Sequence, residues 1–347
     1  MELIGPDNKI IARVTEDHTI VLSDVTTDKE LCIFSGHTDM IVELAFSPNN
    51  DYLASASTDG TARIWKTRSR LRATQFSREK DTRILRAHES AVLRVAFSPG
   101  SRWLVTTGSD CTARIWDARR GNLIHTLEGD NHPVVHTMFS PNGSQLLTAT
   151  QAGEVNIYSV TQDKGTSTLS SQGIVHQHRL SHHQDAIYGF VFSPDATSLV
   201  TLSDDRTANI WSTQDGHLLH SLEHQRPEAI VDASFSPDCK FLTTTSELNT
   251  ESLWDANTGM HLRTFSAPGG DDPNPIRKRV IEALAQEGQS STTLDSSSVF
   301  VLPHEQGSVT VLAFSPDGKT LATGGDDATV QIWNSVDGGP RTTLTGH

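Results

Sequence analysis

Seven repeats of four short antiparallel strands, an all-β array of sheets packed around an axis, is what these 347 residues predict. Three recurrences support it. Phe-Ser-Pro begins at Phe46, Phe97, Phe139, Phe192, Phe235 and Phe314. In every case an aromatic stands nineteen residues further on, at Trp65, Trp116, Tyr158, Trp211, Trp254 and Trp333. The phrase DGTARIW at 59–65 returns as DCTARIW at 110–116, DRTANIW at 205–211 and DATVQIW at 327–333. The same ruler places Ile4-Gly5-Pro6 and Ser23 in register at the start, with Asp17 where Asp59 falls, which makes seven units.

Each unit reads as strands joined by turns. IVELAFS, ending at Ser47, alternates apolar and polar residues and stops at Pro48; YLASAS follows the turn NND, and TARIW follows the turn TDG. A fourth strand precedes the next unit, as in LCIF, LIHTL, HLLHSL and RTTL. The units lie near 1–34, 41–86, 92–127, 134–180, 187–222, 230–265 and 308–345 and together form a single domain over 1–347. A lone four-stranded sheet cannot bury both of its faces, and stacking the seven against one another removes that difficulty. Residues 266–298 interrupt the ruler before the last unit. Within this insertion NPIRKRVIEALAQEG predicts a short helix, with Asn274 as N-cap, Pro275 in the first turn, Gly288 as C-cap and Ile276, Val280 and Leu284 as an apolar stripe.

Gly36-His37, Gly346-His347, Trp116-Asp117 and Trp254-Asp255 complete the pattern, and with them the chain resembles the WD40-repeat β-propellers. The resemblance covers essentially everything outside 266–298 and implies a seven-bladed propeller of four-stranded antiparallel blades. It also implies that a loop His, a Ser or Thr on the second strand, an Asp in the tight turn and the Trp share one buried hydrogen-bonded chain. By position those sets are His37, Ser55, Asp59 and Trp65; His88, Thr106, Asp110 and Trp116; His183, Thr201, Asp205 and Trp211; and His304, Thr323, Asp327 and Trp333. Three units depart from it. The fourth has Tyr158 for Trp and Ala152 for Asp, the sixth has Leu248 at the Asp position, and the first has Arg13 and Ser23 where Thr and Trp are expected.

Composition narrows the function. A formal net charge of -14 repels phosphate backbones, so general nucleic-acid binding is disfavoured. Cys32, Cys111 and Cys239 are far apart and fit neither a disulfide framework nor a cysteine-built zinc site. Neither a secretory leader nor a long apolar run is present, so the expected home is the cytoplasm, with the nucleus as the second compartment, and no membrane partner. His176, His178, His182 and His183 cluster without a Cys or acid to complete a metal site, and Gly318-Lys319-Thr320 has Ala313 where a phosphate-binding loop needs its first glycine. No metal, cofactor or catalytic set is assigned.

What remains is an interaction scaffold whose partners are other proteins or peptides. Residues 66–86 carry eight Lys or Arg against two acids, a local +6 in a chain whose remainder is -20, and Arg68, Arg70 and Arg72 are candidate contacts there. The Ile276, Val280 and Leu284 stripe is a second candidate surface. Arg119 is a third, because Trp116-Asp117-Ala118-Arg119 is similar to the box by which some WD40 proteins join cullin-RING ubiquitin ligases as substrate receptors. The finish on Gly346-His347, in phase with the repeat, suggests instead the sensor part of a larger signalling protein. A propeller enzyme is the rival of a different class, and it requires Asp, Glu or His side chains to converge from the inner strands.

Overall fold

The computed structural model describes residues 1–67, 82–129, 131–161, 173–223, 229–236, 238–246 and 251–265, together with the four strands of a last sheet within 309–345. All regular structure among the described residues is strand. The insertion at 266–298 with its expected helix, the connection holding Arg68, Arg70 and Arg72, and both His304 and Asp327 lie outside them.

Seven four-stranded antiparallel sheets follow one another along the chain, each pairing its strands in sequence order. The first holds β1 (Glu2–Ile4), β2 (Ile10–Val14), β3 (Ile20–Asp24) and β4 (Glu30–Phe34). The second holds β5 (Ile41–Phe46), β6 (Tyr52–Ser57), β7 (Ala62–Lys66) and β8 (Thr82–Leu85), and the third β9 (Val92–Phe97), β10 (Trp103–Gly108), β11 (Thr112–Asp117) and β12 (Leu123–Glu128). The fourth holds β13 (Val134–Phe139), β14 (Gln145–Thr150), β15 (Val155–Val160) and β16 (Ile174–Leu180). The fifth follows as β17 (Ile187–Phe192), β18 (Ser198–Ser203), β19 (Thr207–Ser212) and β20 (Leu218–Glu223). The sixth is β21 (Ile230–Phe235), β22 (Phe241–Ser246), β23 (Glu251–Asp255) and β24 (His261–Phe265), and the seventh is β25 (Val309–Phe314), β26 (Thr320–Gly325), β27 (Thr329–Asn334) and β28 (Pro340–Thr345). The insertion therefore follows the fourth strand of the sixth sheet.

The chain divides into two compact units, Met1–Ser181 with four sheets and His182–His347 with three. Inside each unit the core is built between consecutive sheets. Ala54, Ala56, Ile64 and Leu85 of the second sheet pack with Val92, Leu104 and Trp116 of the third, all essentially inaccessible to water. Trp103, Val105 and Ile115 meet Val134, Leu146 and Tyr158 in the same way. In the second unit Val200, Ile210 and Leu222 meet Ile230, Leu242 and Trp254. Central strands buried on both faces explain why YLASAS and its counterparts lack an alternating polar face.

In the second, fourth, fifth and sixth sheets the Phe-Ser-Pro stretch ends the first strand by a side-chain device. Ser47 N–H donates to Tyr52 O at 2.9 Å, and Ser47 Oγ bonds Asn49 Oδ1 at 2.8 Å, so the hydroxyl closes the turn that proline opens. Ser140 with Asn142, Ser193 with Asp195 and Ser236 with Asp238 repeat it.

Candidate functional site

The residues of the repeated phrase converge just beneath the turn between the second and third strands. In the second sheet Asp59 Oδ2 accepts the His37 Nδ1 proton at 2.8 Å, and His37 Nε2 meets Ser55 Oγ at 2.7 Å. Trp65 Nε1–H donates to the same Ser55 Oγ at 3.0 Å. His88, Asp110, Thr106 and Trp116 form the same chain in the third sheet, with Nδ1–Oδ1 2.9 Å, Nε2–Oγ1 2.7 Å and indole–Oγ1 2.9 Å. In the fifth sheet His183, Asp205, Thr201 and Trp211 give 2.8, 2.6 and 2.8 Å. A carboxylate acceptor at Nδ1 fixes the tautomer, leaving Nε2 to accept from the hydroxyl.

The rest of the phrase is used as well. Thr61, two residues past the Asp, donates through N–H and Oγ1 to Asp59 Oδ1 at 2.8 and 2.6 Å, and Thr112 and Thr207 do the same for Asp110 and Asp205. Arg63 Nη2 donates to Gly36 O at 2.5 Å, Arg114 to Ala87 O, and Asn209, at the same position, turns its amide to the His183 ring. Between them the Ala is buried and the Ile fully so, at Ala62 and Ile64, Ala113 and Ile115, and Ala208 and Ile210. The residue after the Asp adopts the left-handed conformation at Gly60, Cys111 and Arg206, with φ of 78°, 63° and 71°. Sequence reasoning passed over the Thr and Arg positions, although their recurrence at fixed offsets from the Asp was the available signal.

His37 titrates below the ordinary imidazole range, because burial disfavours the imidazolium more than Asp59 favours it; His88 and His183 are lowered for the same reason. Burial alone would raise the Asp59 carboxyl, but bonds from Thr61, His37 and Thr38 outweigh it and bring it to about 2. Asp205 is likewise brought to about 2 and Asp110 is lowered. This neutral His between a carboxylate and a hydroxyl has the connectivity of a nucleophilic triad. Ser55, Thr106 and Thr201 are each 0% exposed, however, and each hydroxyl oxygen is already occupied by an indole N–H. No attacking lone pair faces a substrate; the geometry locks the loop, the turn and two strands together.

The departing units make other contacts at these positions. Arg13 is paired with Glu2 at 2.8 Å and Asp28 at 2.6 Å in the first sheet. Tyr158 lies edge-on to His176 at 5.2 Å in the fourth, and His176 Nε2 meets Asn156 Oδ1 at 2.9 Å. The sixth keeps half of the chain, with Trp254 Nε1–H donating to Thr244 Oγ1 at 2.8 Å, while Leu248 lies outside the described residues. In the seventh, Thr323 and Trp333 occupy β26 and β27 opposite Leu312 and Leu321.

A titratable set on the first strands of three consecutive sheets is the other feature the sequence reading missed. Glu43 of β5 accepts Val95 N–H of β9 at 2.5 Å and lies 3.4 Å from Arg94, whose Nε donates to Val135 O of β13 at 3.2 Å. Burial raises the Glu43 carboxyl against the pull of those donors, and burial, aided by the Arg94 charge, brings His136 down to about 4. All three stand three residues before the Phe of Phe-Ser-Pro, a spacing visible in the sequence. Glu43 and Arg94 are spent on backbone groups of the next sheet, so they act as straps between sheets.

Of the candidate contacts, Arg119 is exposed in the turn between β11 and β12. Arg68, Arg70, Arg72, Ile276, Val280 and Leu284 lie outside the described residues. His182 stands edge-on to Trp211 at 6.4 Å and His183 belongs to its hydrogen-bonded chain, so these rings have separate uses. Among the described residues there is no group of three or more His, Cys, Asp or Glu able to hold a metal ion, and no helix long and apolar enough to cross a membrane.

Comparison with known proteins agrees with this geometry. The family model "WD domain, G-beta repeat" matches residues 28–66, 79–117, 174–212 and 296–334. The first match covers β4 with β5 to β7, so the repeating unit of sequence is the fourth strand of one sheet plus three strands of the next. Target of rapamycin complex subunit wat1 of Schizosaccharomyces pombe is 30% identical over 61% of this chain and 63% of its own length. The guanine nucleotide-binding protein subunit beta of Arabidopsis thaliana is 31% identical over 56% of this chain and 51% of its own. These matched stretches span less than two thirds of either relative. Eukaryotic translation initiation factor 3 subunit I of Drosophila willistoni is 25% identical over 86% of this chain and 96% of its own. The crystal structure of the computationally designed Ika8 protein shares the fold, with a TM-score of 0.61 at 21% identity, covering 98% of this chain and 85% of that one. With its phrase and its hydrogen-bonded chains, the chain carries WD40 repeats, four of them matched by that family model.

Proposed function

We propose that this chain is a non-enzymatic platform that binds other proteins or peptides within a larger assembly. The observation that carries the reading is that the His-Asp-Ser sets, where catalysis would be sought first, are buried and saturated by indole donors. Their effect is to hold turns rigidly, and turns on a rigid scaffold are where recognition residues are placed without disturbing the sheets. Three relatives named as subunits, of a target of rapamycin complex, of a guanine nucleotide-binding protein and of an initiation factor, support the same reading. The contacts we assign are Arg119 and, beyond the described residues, Arg68, Arg70 and Arg72 and the Ile276, Val280 and Leu284 stripe. The exposure of Arg119, two residues after Asp117 in Trp116-Asp117-Ala118-Arg119, favours one narrower reading, a substrate receptor of a cullin-RING ligase.

Mass spectrometry of proteins co-purifying with the tagged chain from its own cells tests the platform, beside a variant with Arg68, Arg70 and Arg72 changed to Glu. Stoichiometric partners are expected from the wild type, and ligase subunits among them would establish the narrower reading. An absence of partners would remove the proposal and turn attention to small-molecule binding.

A further inference from the structure

One edge shared by the second and third sheets gathers arginines in a chain that is otherwise acidic. The connections β5–β6 and β7–β8 leave the second sheet at the same end, as β9–β10 and β11–β12 do in the third, since all four pairs are antiparallel. The two ends touch: Asn49 N–H donates to Ser101 Oγ at 3.1 Å. Arg83 on β8 lays its stem across Gly121, where an added Cβ would stand 3.2 Å from the Arg83 Cβ and Cδ. Arg102 meets the turn through its carbonyl, which accepts Ala118 N–H at 2.9 Å, and Arg119 and Arg120 are the exposed residues of that turn. Among the described residues, the two carboxylates at this edge already have partners, Asp117 with Arg120 itself. Asp117 Oδ1 caps the Arg120 N–H at 2.7 Å, with its other oxygen 3.8 Å from Arg120 Nη1, and Asp51 Oδ2 accepts from Asn49 Nδ2 at 3.0 Å. The Arg120 side chain remains 69% exposed.

Among the described residues, four guanidiniums against two carboxylates make a local positive field in a protein of net charge -14. We infer that Arg83, Arg102, Arg119 and Arg120 form a docking site for a short acidic segment of a partner protein. Guanidinium forks match carboxylates in paired hydrogen bonds, and the positive edge steers a short anion. A net charge of -14 repels a long polyanion more than a short one, which favours an acidic peptide over nucleic acid. The inference rests on the platform reading and gives it a place and a partner chemistry.

Fluorescence anisotropy of a labelled octaglutamate peptide, titrated with the full chain at low ionic strength, tests it. Saturable binding is expected, lost on adding salt, with Kd about tenfold weaker in the Arg119→Glu, Arg120→Glu double variant. Arg83→Gln, which keeps the aliphatic stem against Gly121, is expected to weaken binding less, and matched melting curves show that each variant is folded. Equal affinity in wild type and folded double variant overturns the site, as does tighter binding of a single-stranded octanucleotide than of the peptide. Partners that co-purify equally with the double variant also overturn the site, while leaving the platform intact. Peptide binding lost in the double variant, from a chain that retains no cellular partner, keeps the site and removes the platform.

Discussion

Ser55 is the residue on which the second sheet's chain turns, since its hydroxyl serves both the indole and the imidazole. Ser55→Ala strands two buried polar groups, and we expect a loss of about 3 kcal/mol in chemical denaturation. The same chains make stability depend on pH in a definite direction. His37, His88 and His183 titrate lower when folded, so the unfolded chain takes up protons first. Their contribution is full above about pH 6.5 and declines as pH falls below that value. Asp59 and Asp205, at about 2 when folded, add a second loss that begins near the unfolded carboxyl value and continues down to about 2. Melting temperature followed from pH 8 to 3 is expected to fall in these two stages. Asp59→Asn should start from a lower value and show a smaller second stage.

Strands at the start of neighbouring sheets are tied by Glu43 and Arg94 in addition to apolar contact. Glu43→Ala leaves Val95 N–H without its acceptor and is expected to cost about 2 kcal/mol by urea denaturation, whereas Glu43→Gln retains an acceptor oxygen and should cost less. The turn before each third strand has its own constraint. Cys111 holds φ at 63° where Gly60 does the same work at 78°, so Cys111→Gly relieves a strained backbone and is expected to raise stability by about 0.5 kcal/mol. These effects belong to strand ends and turns, where a single side chain sets the register of the elements it joins.

Across the molecule, stability should be uneven. The second, third and fifth sheets have complete chains, whereas the fourth has Ala152 and Tyr158 in place of Asp and Trp. Native-state hydrogen exchange should therefore find β14 and β15 opening about tenfold more readily than β10 and β11. Equal protection in the two sheets would mean that apolar packing between sheets, present in both, sets their stability alone. Charge is equally uneven, with the arginine edge of the second and third sheets set in a chain of net charge -14.

Much of this was legible before any coordinates. The nineteen-residue spacing and the recurring DGTARIW phrase identify the repeat, because a unit that recurs must solve the same packing problem each time. The hydrogen-bonded sets came from family resemblance; the recurrence of Thr61 and Arg63 in the phrase marked those positions, but not the partner of Arg63, since Gly36 O stands 27 residues away. Glu43, Arg94 and His136 looked like isolated polar residues on apolar strands. Their common offset from Phe-Ser-Pro puts them at equivalent positions, but only packing of three sheets joins them, because these contacts link residues 41 to 52 positions apart. The arginine edge has the same origin: Arg83 and Arg102 read as ordinary surface charges until Gly121 and Ala118 are placed against them. Periodic side-chain chemistry encodes the sheets, and the surface on which partners would act is composed by turns from different sheets, whose proximity the folded chain alone decides.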